Sequence, residues 1–202
     1  MTYIMMFLVS FPGLLIATTV HEFTRAAVSN ALGDTLPKSQ GRLTLNPIKH
    51  FEPIGFLLLF YSGGFGWGKP VETNSIRYKD RKRDTLLVAI LPSVANLLVA
   101  FVTAGIFAMF PSSTLFGTFL SYTALYNVGL AVYNILPVSP MDCTKVLSVT
   151  LPSNQYFKYL QNEKMIQMVF LFLLFFGMFQ GIFGTVINLI LTLFSGFFVL
   201  FI

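Results

Sequence analysis

Residues 3–31 read YIMMFLVSFPGLLIATTVHEFTRAAVSNA, and nearly all of them before His21 are apolar. A helix rises 1.5 Å per residue, so roughly 20 apolar residues are enough to cross the hydrocarbon core of a bilayer. The stretch therefore predicts a first membrane-spanning helix within residues 1–31. His21, Glu22 and Arg25 lie within its last third. Ionisable side chains at such depth are costly, and most of them are functional or paired with another charge.

The composition assigns the whole chain to a membrane. Of its 202 residues, 55% are hydrophobic and 10% are charged, whereas soluble domains carry roughly 25% charged residues. No long polar stretch indicates a separate soluble domain, so residues 1–202 are predicted to form a single integral membrane domain with the lipid bilayer as its solvent. The N-terminal stretch lacks the pattern of a removable signal peptide and is expected to remain in the mature protein.

The basic residues predict the orientation of the chain. The formal net charge is +5, and nine of the 13 Lys and Arg residues lie in the region 32–84. Positively charged loops stay on the cytoplasmic side, so residues 32–84 are predicted to be cytoplasmic. The basic residues gather in one loop region rather than along a helix face or beside exposed aromatic residues, which argues against nucleic acid as a partner.

The remaining apolar stretches predict further spans. Residues 85–136 contain two spanning helices, and residues 137–164 form a partly re-entrant connection that carries three prolines and three lysines. Residues 165–202 are too long for one ordinary span, so they are predicted to form a C-terminal helical hairpin with a break at Gln180-Gly181.

Two shorter segments complete the predicted fold. Residues 53–60 are apolar but too short to span, which is typical of a re-entrant or interfacial segment. Residues 63–70, GGFGWGKP, combine glycines with aromatic residues and predict a short β element at the membrane. The fold class is an all-α polytopic membrane protein with about five to six transmembrane helices, a short membrane-associated β element and re-entrant segments.

The pentapeptide HEFTR at residues 21–25 differs by one residue from the HExxH helix motif. In that motif two histidines at i and i+4 share a helix face and bind zinc, and the glutamate between them is a general base. The alternative for an isolated His-Glu pair is a polar cluster that reaches the membrane interface from a helix end. The membrane depth of His21 and Glu22 favours a functional role.

A second motif follows the third predicted span. Asn134, Pro137 and Asp142 occur in NILPVSPMD with the spacing Asn-x-x-Pro-x-x-x-x-Asp. Alone, an asparagine in a proline-rich helix end would more simply mark helix termination. Together with HEFTR, however, this segment resembles the site-2 protease family of intramembrane zinc metallopeptidases. The segments GRLTLNPIKHFEPIG at residues 41–55 and GGFGWGKPVETN at residues 63–74 resemble compact members of that family in matching order, so the resemblance covers about residues 15–147.

The resemblance implies roles for particular residues. His21 and Asp142 correspond to zinc ligands, Glu22 to the general base and Asn134 to a further residue of the catalytic motif. The glycine-aromatic segment implies a site for a transmembrane substrate or partner, at Gly64, Phe65, Gly66, Trp67, Gly68, Lys69 and Pro70.

Three residues depart from the family pattern. Arg25 stands where the second histidine is expected, Cys143 replaces the glycine after the aspartate, and Leu91 precedes Pro92 where a glycine is usual. Arginine stays protonated and has no lone pair for a metal. Only two of the three protein ligands that catalytic zinc normally needs then remain.

Three hypotheses follow. In the first, the protein is a non-catalytic family member without a cofactor, in which the Arg25 guanidinium neutralises Glu22 and Asp142, and it binds transmembrane helices or serves as a subunit of a membrane complex. In the second, it remains an intramembrane zinc protease with Cys143 or His50 as a replacement ligand and Glu22 as general base. In the third, the intramembrane charges belong to a transporter or channel subunit.

Overall fold

The computed structural model describes residues 3–62, 65–110 and 114–200. Within these residues the chain is helical and contains no β-strand. Two 3₁₀ turns, Pro47–His50 and Ser75–Arg77, accompany eight α-helices: α1 (Tyr3–Ala31), α2 (Leu36–Ser39), α3 (Pro53–Ser62), α4 (Arg81–Ala108), α5 (Leu115–Tyr133), α6 (Cys143–Thr150), α7 (Ser153–Phe175) and α8 (Gln180–Val199).

Four of the described helices are long and apolar enough to cross a membrane. They are Ile4–Ala31 in α1, Arg81–Ala108 in α4, Leu115–Tyr133 in α5 and Gly181–Val199 in α8. The all-α, multi-pass fold is thereby confirmed, although the described residues provide four spans and not five or six. The difference arises in α7, because its first half is polar and only its last part is apolar. Apolar α3, with ten residues, is too short to span.

The predicted β element is wrong for the described residues 65–74, which have no regular secondary structure. The segment packs against α3 instead of another strand. A Cβ atom added to Gly55 of α3 would lie 2.0 Å from the carbonyl oxygen of Trp67, and one added to Gly66 would lie 2.3 Å from the carbonyl oxygen of Gly55. A helix has already paired its backbone groups internally, so it offers the segment no ladder of hydrogen bonds.

The bundle is centred on α1, α4 and α5, which pack against one another. Two clusters of buried side chains extend this centre. One joins α1 and α5 to α3 through Leu14, Ala17, Phe56, Leu59, Tyr126 and Leu130. The other joins α5, α7 and α8 to residues 65–74, which we call the extended segment, through residues that include Phe65, Tyr133, Phe170, Leu174 and Ile187.

The turn between α7 and α8 occupies residues 176–179, immediately before the Gln180-Gly181 break predicted from the sequence. Gly177 has a φ of 73°, in the left-handed region that glycine adopts without a steric penalty. Helix α7 therefore ends just before Gly177, and Gly181 lies inside α8.

We expect Gly55→Ala to destabilise the protein, because the new methyl group would overlap the Trp67 carbonyl. Overpacking of this kind costs roughly 1–3 kcal/mol, or roughly 3–10 °C in Tm for a chain of this size. Thermal unfolding in detergent measures the change. Gly181→Ala is the matched control, since nothing lies within 4 Å of its added Cβ. Equal Tm values for the two variants would contradict the close packing of the segment on α3.

Candidate functional site

Helix α1 presents His21, Glu22 and Arg25 on one face, because residues three and four apart are neighbours on a helix surface. All three side chains are buried, with exposed fractions of 3%, 3% and 2%. They therefore lie in the interior of the bundle and not on its lipid-facing surface.

Asp142 reaches the same place from the end of α5. Asn134 follows the last residue of α5, and its side-chain oxygen accepts a hydrogen bond from the backbone N–H of Asp142 at 3.1 Å. Its backbone carbonyl accepts from the N–H of Cys143, also at 3.1 Å. Asn134 thus fixes the loop between α5 and α6, and Asp142 is 1% exposed beside α1.

The Arg25 guanidinium lies at the centre of the cluster. Nη1 donates to both carboxylate oxygens of Glu22, at 3.0 and 2.9 Å. Nη2 donates to Oδ1 of Asp142 at 2.5 Å and lies 3.2 Å from Nε2 of His21. One cation therefore binds two carboxylates that come from different parts of the chain, through charge-assisted hydrogen bonds.

His21 is held from both sides of its ring. Nδ1 lies 2.7 Å from Oδ1 of Asn96, and Nε2 lies 2.9 Å from Oδ2 of Asp142. Asn96, on α4, has its own orientation fixed, since its Nδ2 donates to the carbonyl of Ala17 and to Oδ1 of Asn127. The arrangement links α1, α4 and α5 through polar contacts at one level.

A second cation, Lys145 on α6, also contacts the cluster. Its Nζ lies 3.2 Å from Oδ1 of Asp142. Burial alone would raise the pKa of Asp142, but the charges of Arg25 and Lys145 and the hydrogen bond from His21 hold that pKa well below its ordinary value. The two carboxylates thus lie beside two basic side chains, Arg25 and Lys145.

The extended segment is tied to this cluster. Glu22 Oε2 accepts a hydrogen bond from the backbone N–H of Val71 at 2.8 Å. Arg42 donates from Nη2 to the carbonyl of Lys69 at 2.6 Å, and the Lys69 N–H donates to the carbonyl of His50 at 2.8 Å. Through Val71 the segment therefore contacts the carboxylate that the resemblance names as the general base.

The predicted binding residues divide into three groups. Phe65, Gly66 and Gly68 are buried, Trp67 is half-buried, and Lys69 and Pro70 are exposed. Trp67, Gly68 and Pro70 line a small cavity together with His21, Glu22 and Arg25. Gly64 lies outside the described residues. The cavity volume is about 10 Å³, close to the minimum for a single water molecule.

The two residues considered as replacement metal ligands are engaged elsewhere. Nε2 of His50 lies 2.8 Å from the carbonyl of Thr44, and Nδ1 lies 3.4 Å from Arg42 Nη2. Burial lowers the pKa of His50, an effect that the bond to Thr44 opposes and the Arg42 charge reinforces. Cys143 lines a separate apolar cavity of about 390 Å³ between α4, α5, α6 and α8.

The residues present do not fit a catalytic zinc site. Among the described residues, no three His, Cys, Asp or Glu side chains are grouped closely enough to hold a metal ion. His21 and Asp142 provide two ligand side chains where three are normal, and the atoms that would face a metal contact Arg25 instead.

Asn96 and Lys145 were not identified as site residues from the sequence. An amide in the middle of an apolar span is a signal that could have identified Asn96, because polar residues at membrane depth are rare and usually paired. Lys145 carries no such signal. It follows Asp142 by three residues, and only the start of α6 at Cys143 brings the two side chains together.

Two curated proteins were found to be similar to this chain. "Putative zinc metalloprotease YwhC" of Bacillus subtilis (strain 168) is 34% identical over 169 residues, which cover 79% of this chain and 77% of that protein. "Putative zinc metalloprotease Rip2" of Mycolicibacterium smegmatis (strain ATCC 700084 / mc(2)155) is 28% identical over 149 residues, 70% of this chain and 57% of that protein. No family model matches the chain. No solved structure matches it.

We expect Arg25→Gln to destabilise the protein strongly. The substitution leaves Glu22 and Asp142 buried, and removal of one partner from a buried ion pair costs about 3–5 kcal/mol. Thermal unfolding in detergent or recovery of folded protein measures the effect. Arg83→Gln is the control, because Arg83 is an exposed arginine whose loss is expected to change stability by less than about 0.5 kcal/mol.

A triple variant keeps this prediction testable if Arg25→Gln does not fold. Glu22→Gln, Arg25→Gln and Asp142→Asn together remove both carboxylate charges with the cation, so most of the lost stability is expected to return. A single Arg25→Gln variant as stable as Arg83→Gln would show that the buried carboxylates do not depend on Arg25.

Proposed function

We propose that this chain, which belongs to the zinc metalloproteases of the site-2 protease type, is a non-catalytic member that binds a transmembrane segment of another membrane protein. The observation that carries the proposal is the position of Arg25. Its guanidinium contacts His21, Glu22 and Asp142, which are the side chains that the family resemblance assigns to the metal and the general base.

Peptide hydrolysis by a zinc metalloprotease requires a metal ion with an open coordination position and a free carboxylate as base. Here both oxygens of Glu22 accept hydrogen bonds from Arg25, and one of them also accepts from Val71. A metal ion would meet a permanent positive charge at the centre of the site. The Arg25 cluster thus lacks a set of ligands for zinc, and the Glu22 carboxylate is not free to take a proton from water.

The extended segment supports the binding part of the proposal. The backbone N–H groups of residues 66–68 donate to no acceptor within the described part of the chain, although Gly66 and Gly68 are buried. Unpaired backbone groups in an apolar interior are costly. An extended or locally unwound stretch of a partner could pair by strand addition with the backbone of Trp67, which is partly exposed, and contact the side chains of Trp67 and Pro70.

The glycines of this segment suit such an approach. A Cβ atom on Gly68 would lie 3.0 Å from the carbonyl of His50 and 3.1 Å from Cβ of Thr18. The segment is therefore pressed onto α1 and the Pro47–His50 turn with no space for side chains on that side. Its shape is held by the fold, so a partner would meet a preformed surface.

We expect the unmodified protein, purified in detergent, to contain little zinc, whereas Arg25→His gains about one zinc ion per chain. The imidazole would restore the i, i+4 histidine pair next to Asp142 and remove the competing cation. Elemental analysis after purification without chelators measures both proteins. The control is Arg25→His combined with Asp142→Asn, which again has too few ligands and is expected to lose the metal.

Near-stoichiometric zinc in the unmodified protein would contradict the proposal and would favour an active protease with a replacement ligand. Zinc binding by Cys143→Ala and His50→Gln variants would then identify that ligand.

A further inference from the structure

A third cavity, of about 620 Å³, lies at the end of the bundle where α4 begins. It is formed between the first turn of α4 and the corner at which α6 meets α7. Because α4 and α5 are joined by a short connection, the start of α4 and the end of α5 lie at the same end of the bundle. The residues that line this cavity are distinct from those of the Arg25 cluster. The inference below therefore does not depend on the proposed function.

One part of the cavity wall is cationic and rich in hydroxyl groups. Arg81 and Lys82 contribute positive charges, and Ser75, Ser153 and Tyr156 contribute hydroxyl groups. Neither cation forms a salt bridge within the described part of the chain. Both lie in the first turn of α4, where the helix dipole is positive and disfavours additional cations. A bound anion would relieve both sources of positive potential.

The acidic groups around this wall do not neutralise it. Residues 77–84 carry five basic and two acidic side chains. Asp80 accepts from the backbone N–H of Arg83, and Asp84 accepts from the backbone N–H of Asp80. Burial raises the pKa of Tyr156, and the negative charge of Glu163 in α7 raises it further. The local balance around Arg81 and Lys82 remains positive.

Other residues of the cavity wall are apolar. They are Val149 and Leu151 from the α6–α7 corner and Phe157 and Leu160 from α7. Phe157 is 61% exposed and Leu160 is 44% exposed. A soluble anion would not need these apolar side chains, whereas a molecule with a charged head and a hydrocarbon chain would contact both the cationic and the apolar residues.

We propose that this cavity binds an anionic phospholipid. The phosphate of the headgroup lies against Arg81 and Lys82, with Ser75 and Ser153 as hydrogen-bond donors, and the upper part of an acyl chain lies against Phe157 and Leu160. The position favours a lipid, since Arg81 is the first residue of a spanning helix and basic residues next to a span attract anionic lipids. The sequence also predicts this end to be cytoplasmic, and the cytoplasmic leaflet is rich in anionic lipids.

A lipid in this place would connect two elements that the protein itself joins weakly. Helix α7 is anchored in the core by Phe170 and Leu174 in its second half, whereas most of its first half is exposed. The bound lipid would hold that half against α4. It would also stabilise α6, which carries Lys145 beside Asp142.

The test uses the full-length chain in nanodiscs or in detergent with added lipid, and native mass spectrometry counts the retained lipid. We expect phosphatidylglycerol to be retained in preference to phosphatidylcholine. The double variant Arg81→Gln, Lys82→Gln is expected to bind phosphatidylglycerol roughly 10- to 30-fold more weakly. The matched control is Lys79→Gln, Arg83→Gln, which removes the same charge from the same basic run outside the cavity lining.

Two further measurements separate the lipid from other sources of phosphate. Phe157→Gln is expected to weaken binding of long-chain phosphatidylglycerol. It is expected to leave any binding of glycerol phosphate unchanged, because that molecule has no acyl chain to contact Phe157. Displacement of the lipid by millimolar inorganic phosphate would assign the cavity to a soluble anion and overturn the proposal. Equal loss in the double variant and its control, or equal retention of the two lipids, would show only general attraction to a charged leaflet and would also overturn it.

Discussion

The interaction on which the structure depends is the contact of Arg25 with two buried carboxylates. Glu22 and Asp142 are almost completely enclosed at the centre of a membrane protein, where a lone carboxylate is far more costly than in water. The guanidinium offers five N–H donors in a fixed plane, so it can bind both carboxylates at once. Arg25 therefore connects its own helix, α1, to the loop after α5 through Asp142.

The same contact organises the surrounding elements. Glu22 connects the Arg25 cluster to the extended segment through Val71, and His21 connects it to α4 through Asn96. Asn134 then determines where the Asp142 backbone lies. The Arg25 cluster therefore joins α1 and α4 to the loop after α5 and to residues 65–71. A guanidinium supplies positive charge at this place, but unlike a metal ion it cannot coordinate water or a carbonyl oxygen as a Lewis acid.

The membrane fold was largely predictable, because hydropathy reports directly on which residues face hydrocarbon. The approach of His21 to Asp142 was also predictable, although only from two motifs taken together. The β element was not, since whether residues 65–74 pair with a strand or pack on a helix depends on the approach of Gly55 to Gly66, and those residues are 11 apart in sequence. The contact of Lys145 with Asp142 could not be predicted from the sequence either. It follows from the start of α6 at Cys143, and no motif indicates it.

Arginine and a metal ion differ in how permanently they neutralise this site. Metal affinity depends on the protonation of its ligands and on metal supply, whereas the guanidinium stays charged under all physiological conditions. Catalytic zinc sites keep an open coordination position for water and substrate, whereas the cavity lined by Arg25 has a volume of about 10 Å³. The proposed binding role requires only that the extended segment be held in place. Arg25 meets that requirement, since the Glu22 that it holds is the residue that anchors Val71.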